Sequence, residues 1–245
     1  GSIGDIGIIE IAAGGNLDVR RAVSANPFGP NDGDISIVVE GGSLTILGTG
    51  DGVEGRSVEL TAEDDLLVNE EVVGLFGDVD LTAGSDVGDL LDITADVTAG
   101  GNMSLTGAGD PISIGAVTLT AGLDVDVNDD VVLDGSATVI SEDGDVTFAD
   151  DVSDDGTGNS LTVEALFGTV DFVDTIGVDV NPVNGLTVTA LDIELGGNVE
   201  SDDAVTLTGD VLLDTTAVTI TTSDDNVTIN GDTSGDQDFT ITAGT

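Results

Sequence analysis

The chain has no lysine, histidine, cysteine, tyrosine or tryptophan. Each absence excludes something. Without cysteine there are no disulfides, so the fold rests on burial, backbone hydrogen bonds or bound ions. Without histidine, lysine and cysteine, general bases and activated nucleophiles reduce to carboxylates. Without tryptophan and tyrosine there is little aromatic surface on which a sugar could stack. The only aromatics are six phenylalanines, so the core must be aliphatic. Positive charge is equally scarce. Arg20, Arg21 and Arg56 are the only cationic side chains, which excludes the basic footprint that nucleic acid requires. Anionic lipid surfaces and acidic polysaccharides would be repelled. No run is long and apolar enough to span a bilayer, so no membrane insertion is expected. Gly1-Ser2-Ile3-Gly4-Asp5 lacks the basic region of a signal peptide.

What is present is acid, glycine and β-branched residues. The chain has 245 residues, 49 of them Asp or Glu, and a net charge of −46. Divalent cations would be attracted to such a surface, and a saline setting would screen its self-repulsion. Aspartate greatly outnumbers glutamate, and aspartate is the turn-compatible carboxylate. The acid is therefore expected in turns and on strand faces. β-branched residues recur in short alternating runs, unlike the composition of a disordered acidic chain.

Period-two alternation runs through the sequence. Val117-Thr118-Leu119-Thr120-Ala121, Leu186-Thr187-Val188-Thr189-Ala190, Val218-Thr219-Ile220-Thr221 and Phe239-Thr240-Ile241-Thr242-Ala243 are clear cases. One face of each is apolar and the other threonine, the pattern of a half-buried strand. The alternation predicts that Val117, Leu119, Val188, Leu207, Ile220 and Ile241 point inward. A Gly-Asp/Asn-apolar start recurs at Gly77-Asp78-Val79, Gly101-Asn102-Met103, Gly144-Asp145-Val146 and Gly209-Asp210-Val211. Looser versions sit at Gly122-Leu123, Gly168-Thr169-Val170 and Asp225-Asn226-Val227. From residue 77 to about residue 193 the starts lie roughly 21 to 24 residues apart, the spacing of solenoid coils. After that the spacing shortens.

A coil of strands and turns without helix predicts a parallel β-helix. Coils would stack at about 4.8 Å, so roughly ten would make a rod on the order of 50 Å long. The whole chain, 1–245, reads as one β-solenoid domain, with 1–32 an atypical N-terminal coil or capping region. Asp78-Val79-Asp80-Leu81-Thr82-Ala83-Gly84 and Val97-Thr98-Ala99-Gly100-Gly101-Asn102-Met103-Ser104-Leu105-Thr106 resemble the repeats of filamentous-haemagglutinin-like large exoproteins. That resemblance covers most of the chain from about residue 33. It implies a right-handed parallel β-helix at a bacterial cell surface, serving as an adhesin or fibre. The family's secretion domains carry Asn-Pro motifs. Asn26-Pro27-Phe28-Gly29 and Asn181-Pro182-Val183-Asn184-Gly185 echo them only in part and read as turns.

The candidate chemistry lies in acidic clusters. Asp124-Val125-Asp126-Val127-Asn128-Asp129 begins like a calcium loop. An EF-hand then needs glycine and glutamate where this chain has Asp129 and Gly135. The segment reads instead as a strand with Val125 and Val127 inside. A denser group is Glu142, Asp143, Asp145, Asp150, Asp151, Asp154 and Asp155. Calcium takes six to eight hard oxygens, and carboxylate-rich turns supply them. These seven residues are the candidate calcium site, set against a solvated acidic loop with diffuse counter-ions. No cofactor is required, and calcium is the one that fits. No catalytic residues are assigned. Carboxylate pairs suffice for glycoside hydrolysis, but they are unavoidable at this aspartate density.

The Thr-x-Thr pairs Thr118/Thr120, Thr187/Thr189, Thr206/Thr208, Thr219/Thr221 and Thr240/Thr242 raise ice binding as an idea. Against it stand their irregular spacing along the chain, which can put them on different faces, and the general suitability of threonine for strands. The expected function is a non-enzymatic extracellular structural protein at the cell surface, a filament segment or adhesin stalk. The alternatives are a calcium-dependent adhesive module and a carbohydrate-active β-helix enzyme. The expected partners are other copies of the chain, head-to-tail or lateral, or further repeats of a longer chain. Neither end reads as a cap, and solenoid ends normally need one.

Overall fold

A computed structural model describes residues 6–10, 15–23, 33–48, 52–84, 86–178, 181–214, 217–223 and 225–244. The echo at Asn26-Pro27-Phe28-Gly29 and most of the 1–32 segment lie outside the described residues. Every described element is a short β-strand, and none is a helix. The chain winds through three faces per turn. Ile35–Val39 forms part of the first face, Leu44–Ile46 the second and Gly52–Gly55 the third. Val58–Ala62 then returns to the first face and pairs in parallel with Ile35–Val39, with Ile35 opposite Val58. The same step recurs from coil to coil, and the expected parallel β-helix is what forms.

Each coil cannot bury its apolar side alone, so the coils hold one another. The second face is a 7-stranded sheet, continued through isolated bridges of Ile176 with Val152 and Val199 into a 3-stranded sheet. The first and third faces are joined in one 18-stranded sheet. They join because Ser160–Phe172, Gly185–Leu195 and Val205–Leu213 run through the corner without leaving strand geometry. The register shifts there, between Ala165 and Thr169 and between Thr189 and Asp192.

Alternation puts every second side chain inside, and parallel registry stacks like on like. On the first face Leu60, Leu81, Leu105 and Val127 form one inward column, continued by Phe148 and Phe172. The two phenyl rings stack with centroids 5.1 Å apart. Val117, Leu119, Val188, Leu207 and Ile220 are buried as expected. Ile241 is not: it is 47 % exposed. It pairs with buried Ile220 in the coil below, but no described coil covers it from above. Val125 and Val127 are buried within Val125–Val127, so that acidic segment is a strand. Val183, in the second Asn-Pro segment, is buried and bridges Ser201.

Among the described residues, four buried ones are polar: Ser141, Asp154, Ser201 and Thr222. Asp154 occupies an inward position of the second face. Ile114 and Leu133 sit below it in the same column.

Candidate functional site: the carboxylate columns at the coil corners

The recurrent Gly-Asp/Asn starts all fall at one corner, where the third face turns into the first. Registry stacks these polar residues into a column containing Asp78, Asn102, Asp124, Asp145 and Thr169. Each side chain reaches up to the next coil. Asp78 Oδ1 accepts the Asn102 amide at 2.8 Å, and Asn102 Oδ1 accepts the Asp124 amide at 3.2 Å. Asp124 Oδ1 then accepts the Asp145 amide at 2.9 Å, and Asp145 Oδ1 the Thr169 amide at 2.7 Å. Asp210 repeats the contact with the Asp232 amide at 3.0 Å. The paired residues lie 21 to 24 positions apart. Amide-to-carboxylate bonds of this kind are stronger than neutral ones. They also satisfy corner amides that the strand ladders leave over.

The glycine before the acid has a steric cause. A Cβ on Gly101 would lie 2.3 Å from Asp78 Oδ1, and one on Gly144 would lie 2.3 Å from Asp124 Oδ1. The carboxylate rising from the coil below occupies the volume a side chain would need. Leu123 takes the glycine's place above Asn102, and that bond is the longest of the five. We therefore expect Gly101→Ala to destabilise the protein by about 1–3 kcal/mol. The cost should shrink in an Asp78→Ala background, because the obstructing oxygen is gone. Denaturant melts of the four variants in a double-mutant cycle measure this. Additive effects would mean that the carboxylate does not dictate the glycine.

The seven residues of the candidate calcium site are distributed around one turn of the solenoid. Glu142, Asp143 and Asp145 sit between Ala137–Ser141 of the third face and Val146–Phe148 of the first. Asp150 and Asp151 sit at the next corner, before Val152–Asp154 of the second face. Asp154 ends that strand, and Asp155 begins the turn back to the third face. Sequence proximity therefore does not become spatial convergence. Three of the seven carry definite structural bonds beyond Asp145. Asp151 Oδ1 accepts the Thr175 amide at 3.0 Å. Asp155 Oδ1 accepts the Thr157 amide at 2.8 Å and its hydroxyl at 2.6 Å. These Thr157 bonds hold the Asp155 carboxyl below its ordinary value. Asp154, 2 % exposed, accepts three amides: Gly156 and Gly158 on Oδ2 at 2.8 and 2.9 Å, and Asn159 on Oδ1 at 2.9 Å. Among the described residues no group of three or more carboxylates is placed to hold a metal ion.

Two cavities of about 340 and 400 Å³ lie along the second face and share Pro111 and Val132. Asp130, Asp151, Asp154 and Asp155 line the smaller one. All four accept backbone amides, Asp130 from Asp151 at 3.2 Å. The rim acids are thus committed to holding turns rather than aimed together at a common point.

The outward column beside the Gly-Asp corner is different. It reads Glu59, Asp80, Ser104, Asp126, Thr147, Asp171, Glu194. From Asp80 to Asp171 a hydroxyl separates each acid from the next. Like charges directly opposite each other destabilise a sheet, and the alternation keeps these carboxylates two coils apart. Their carboxyls are nonetheless pushed up. Burial is the main cause for Asp80, followed by Asp78 and Glu59. For Asp126 it is burial, then Asp124 and Asp145, and for Asp171 burial, then Asp214. Glu194 is raised by burial and then by Asp171, Asp214, Asp192 and Asp145.

Sequence reading missed two things. The corner acids act upward, on the next coil, and the recurrence of Gly-Asp was the available signal. Asp154 belongs by sequence to the candidate calcium group, whereas Val152-Ser153-Asp154 places it in phase with buried Val152. No family model, curated protein or solved structure matches the chain.

Proposed function

We propose that the protein is a non-enzymatic structural rod, a filament segment or stalk at a cell surface, whose coils serve to extend and stiffen it. The resemblance of its repeats to filamentous-haemagglutinin-like exoproteins supports the location. The observation that carries the reading is the unbroken parallel stacking of the described coils, in which inward columns such as Leu60, Leu81, Leu105 and Val127 run from coil to coil and no coil buries its apolar side alone. The proposed partners are further repeats of a longer chain or other copies joined head-to-tail, a contact that need not close on itself.

The corner chemistry supports the same reading, because acids that could have formed a site are spent on joining coils. The test is electron microscopy and light scattering of the pure chain in salt high enough to screen its charge. Filaments, or mass that grows with concentration, are the expected result. A monomer that persists across a wide concentration range sinks self-assembly and leaves the segment of a longer rod. Assembly that requires calcium, and not sodium at matched ionic strength, would move the reading to a calcium-dependent adhesive module.

A further inference from the structure

Three of the five threonine pairs, irregular along the chain, fall into register on one face. Thr118, Thr138, Thr162, Thr187, Thr206 and Thr228 occupy one outward column of the third face in six successive coils. Two residues further along each strand runs a second column. It holds Thr120, Thr189 and Thr208, with Ile140, Glu164 and Asn230 at the remaining levels. Thr98 continues it one coil below Thr120. The irregular spacing comes from corner loops of different length, and strand registry removes it. Thr219/Thr221 and Thr240/Thr242 stack on each other in the second-face sheet instead.

The composition of this array is unlike the rest of the surface. The matching outward column of the first face carries five carboxylates between Glu59 and Glu194. In a chain of net charge −46, the two threonine columns contain one acid, Glu164, over six coils. The hydroxyls repeat at about 4.8 Å along the rod and about 6.7 Å along each strand. Threonine is stiff at χ1, so its hydroxyl and methyl are held in place before any contact. Little entropy is then lost on binding.

We propose that this face binds ice. The occupant must be uncharged, to suit columns that hold a single carboxylate, Glu164, and periodic, to use the repeat from coil to coil. The two repeats lie close to those of the prism plane of hexagonal ice. A single sugar or small molecule would call for a concave site with converging polar groups. The third face has one shallow groove of about 260 Å³, where Asp203 and Asp225 stand beside Thr162 and Thr187, but its first column repeats a hydroxyl-and-methyl unit through all six coils and its second through three of them.

The inference concerns a side face and stands apart from assembly at the coil ends. Its test is nanolitre osmometry on the pure chain, reading the gap between melting and freezing points and the shape of the ice crystal. The folded chain should produce a gap and faceted crystals. Thr187→Tyr, in the middle of the array, should lose most of that gap, and Thr138→Tyr in the same column is a second variant should the first not fold. Thr147→Tyr, outward on the first face, should retain it. Circular dichroism confirms that each variant is folded. A folded chain that neither shapes ice nor opens a gap overturns the proposal. So does an equal loss in Thr187→Tyr and Thr147→Tyr. Sedimentation with insoluble cellulose or chitin, without any effect on ice, would assign the face to a neutral polysaccharide and overturn it as well.

Discussion

Asp154→Asn should destabilise the protein by about 1–3 kcal/mol, a fall in melting midpoint of roughly 3–10 °C. In a chain of net charge −46 the simple electrostatic expectation is the reverse, since removing a negative charge relieves repulsion. Asp154 differs because it is buried and its two oxygens receive three amide donors. An asparagine keeps one acceptor oxygen and turns a donor NH₂ toward amides that also donate. At least one amide loses its acceptor; Gly156 and Gly158 are exposed and Asn159 is half-buried, so the loss is that of a charge-assisted bond plus a donor facing donors, about 1–3 kcal/mol. The turn it holds is demanding: Gly156 and Gly158 have φ of 91° and 88°, a region that other residues enter only with strain. Asp155 holds the Thr157 amide of the same turn, but the Gly156, Gly158 and Asn159 amides depend on Asp154. Asp143→Asn is the control, since Asp143 is exposed at a corner. It should be neutral or slightly stabilising. Thermal melts of the two variants at equal ionic strength decide the matter. Equal midpoints would show that Asp154 acts only as one charge among many.

Acidification should stabilise the fold before it harms it. Asp80, Asp126, Asp171 and Glu194 have carboxyls raised above their ordinary values, mainly by burial and then by neighbouring acids. A raised carboxyl binds its proton more tightly in the folded state. Its ionisation therefore opposes folding, and that opposition is lifted as pH falls through the raised value. Asp155 runs the other way. Its lowered carboxyl favours the fold above the ordinary carboxylate value, and that favour is lost as pH falls through the folded value. Asp92 and Asp129 are raised as well, with burial again the first cause, so six raised groups against one lowered group set the expected direction. The midpoint at pH 5 in low salt should exceed the midpoint at pH 7 by several degrees. Molar sodium chloride should shrink the difference without abolishing it, because salt screens the repulsion between exposed acids but does not undo burial. A midpoint that is flat or falls between pH 7 and pH 5 would contradict this. The same melts with calcium at matched ionic strength separate screening from binding at defined sites.

The all-strand, parallel-coil architecture was legible in the sequence because its cause is local. Alternation in Val117-Thr118-Leu119-Thr120 needs only the period of a strand, and it correctly placed Val117, Leu119, Val188, Leu207 and Ile220 in the core. The recurring Gly-Asp starts were equally visible, because a turn carries its signal in its own residues. The same local logic failed for Ile241, whose burial depends on a coil above it and not on its own alternation. It did not show that one turn of the solenoid spreads the acidic group from Glu142 to Asp155 over three corners. It failed again for the threonines, whose spacing along the chain concealed their columns. The sequence by itself thus determined which residues turn inward and where the chain bends. Only the tertiary structure decided what stands above what, because corner loops vary in length and registry between coils is set by hydrogen bonds and packing across roughly twenty residues.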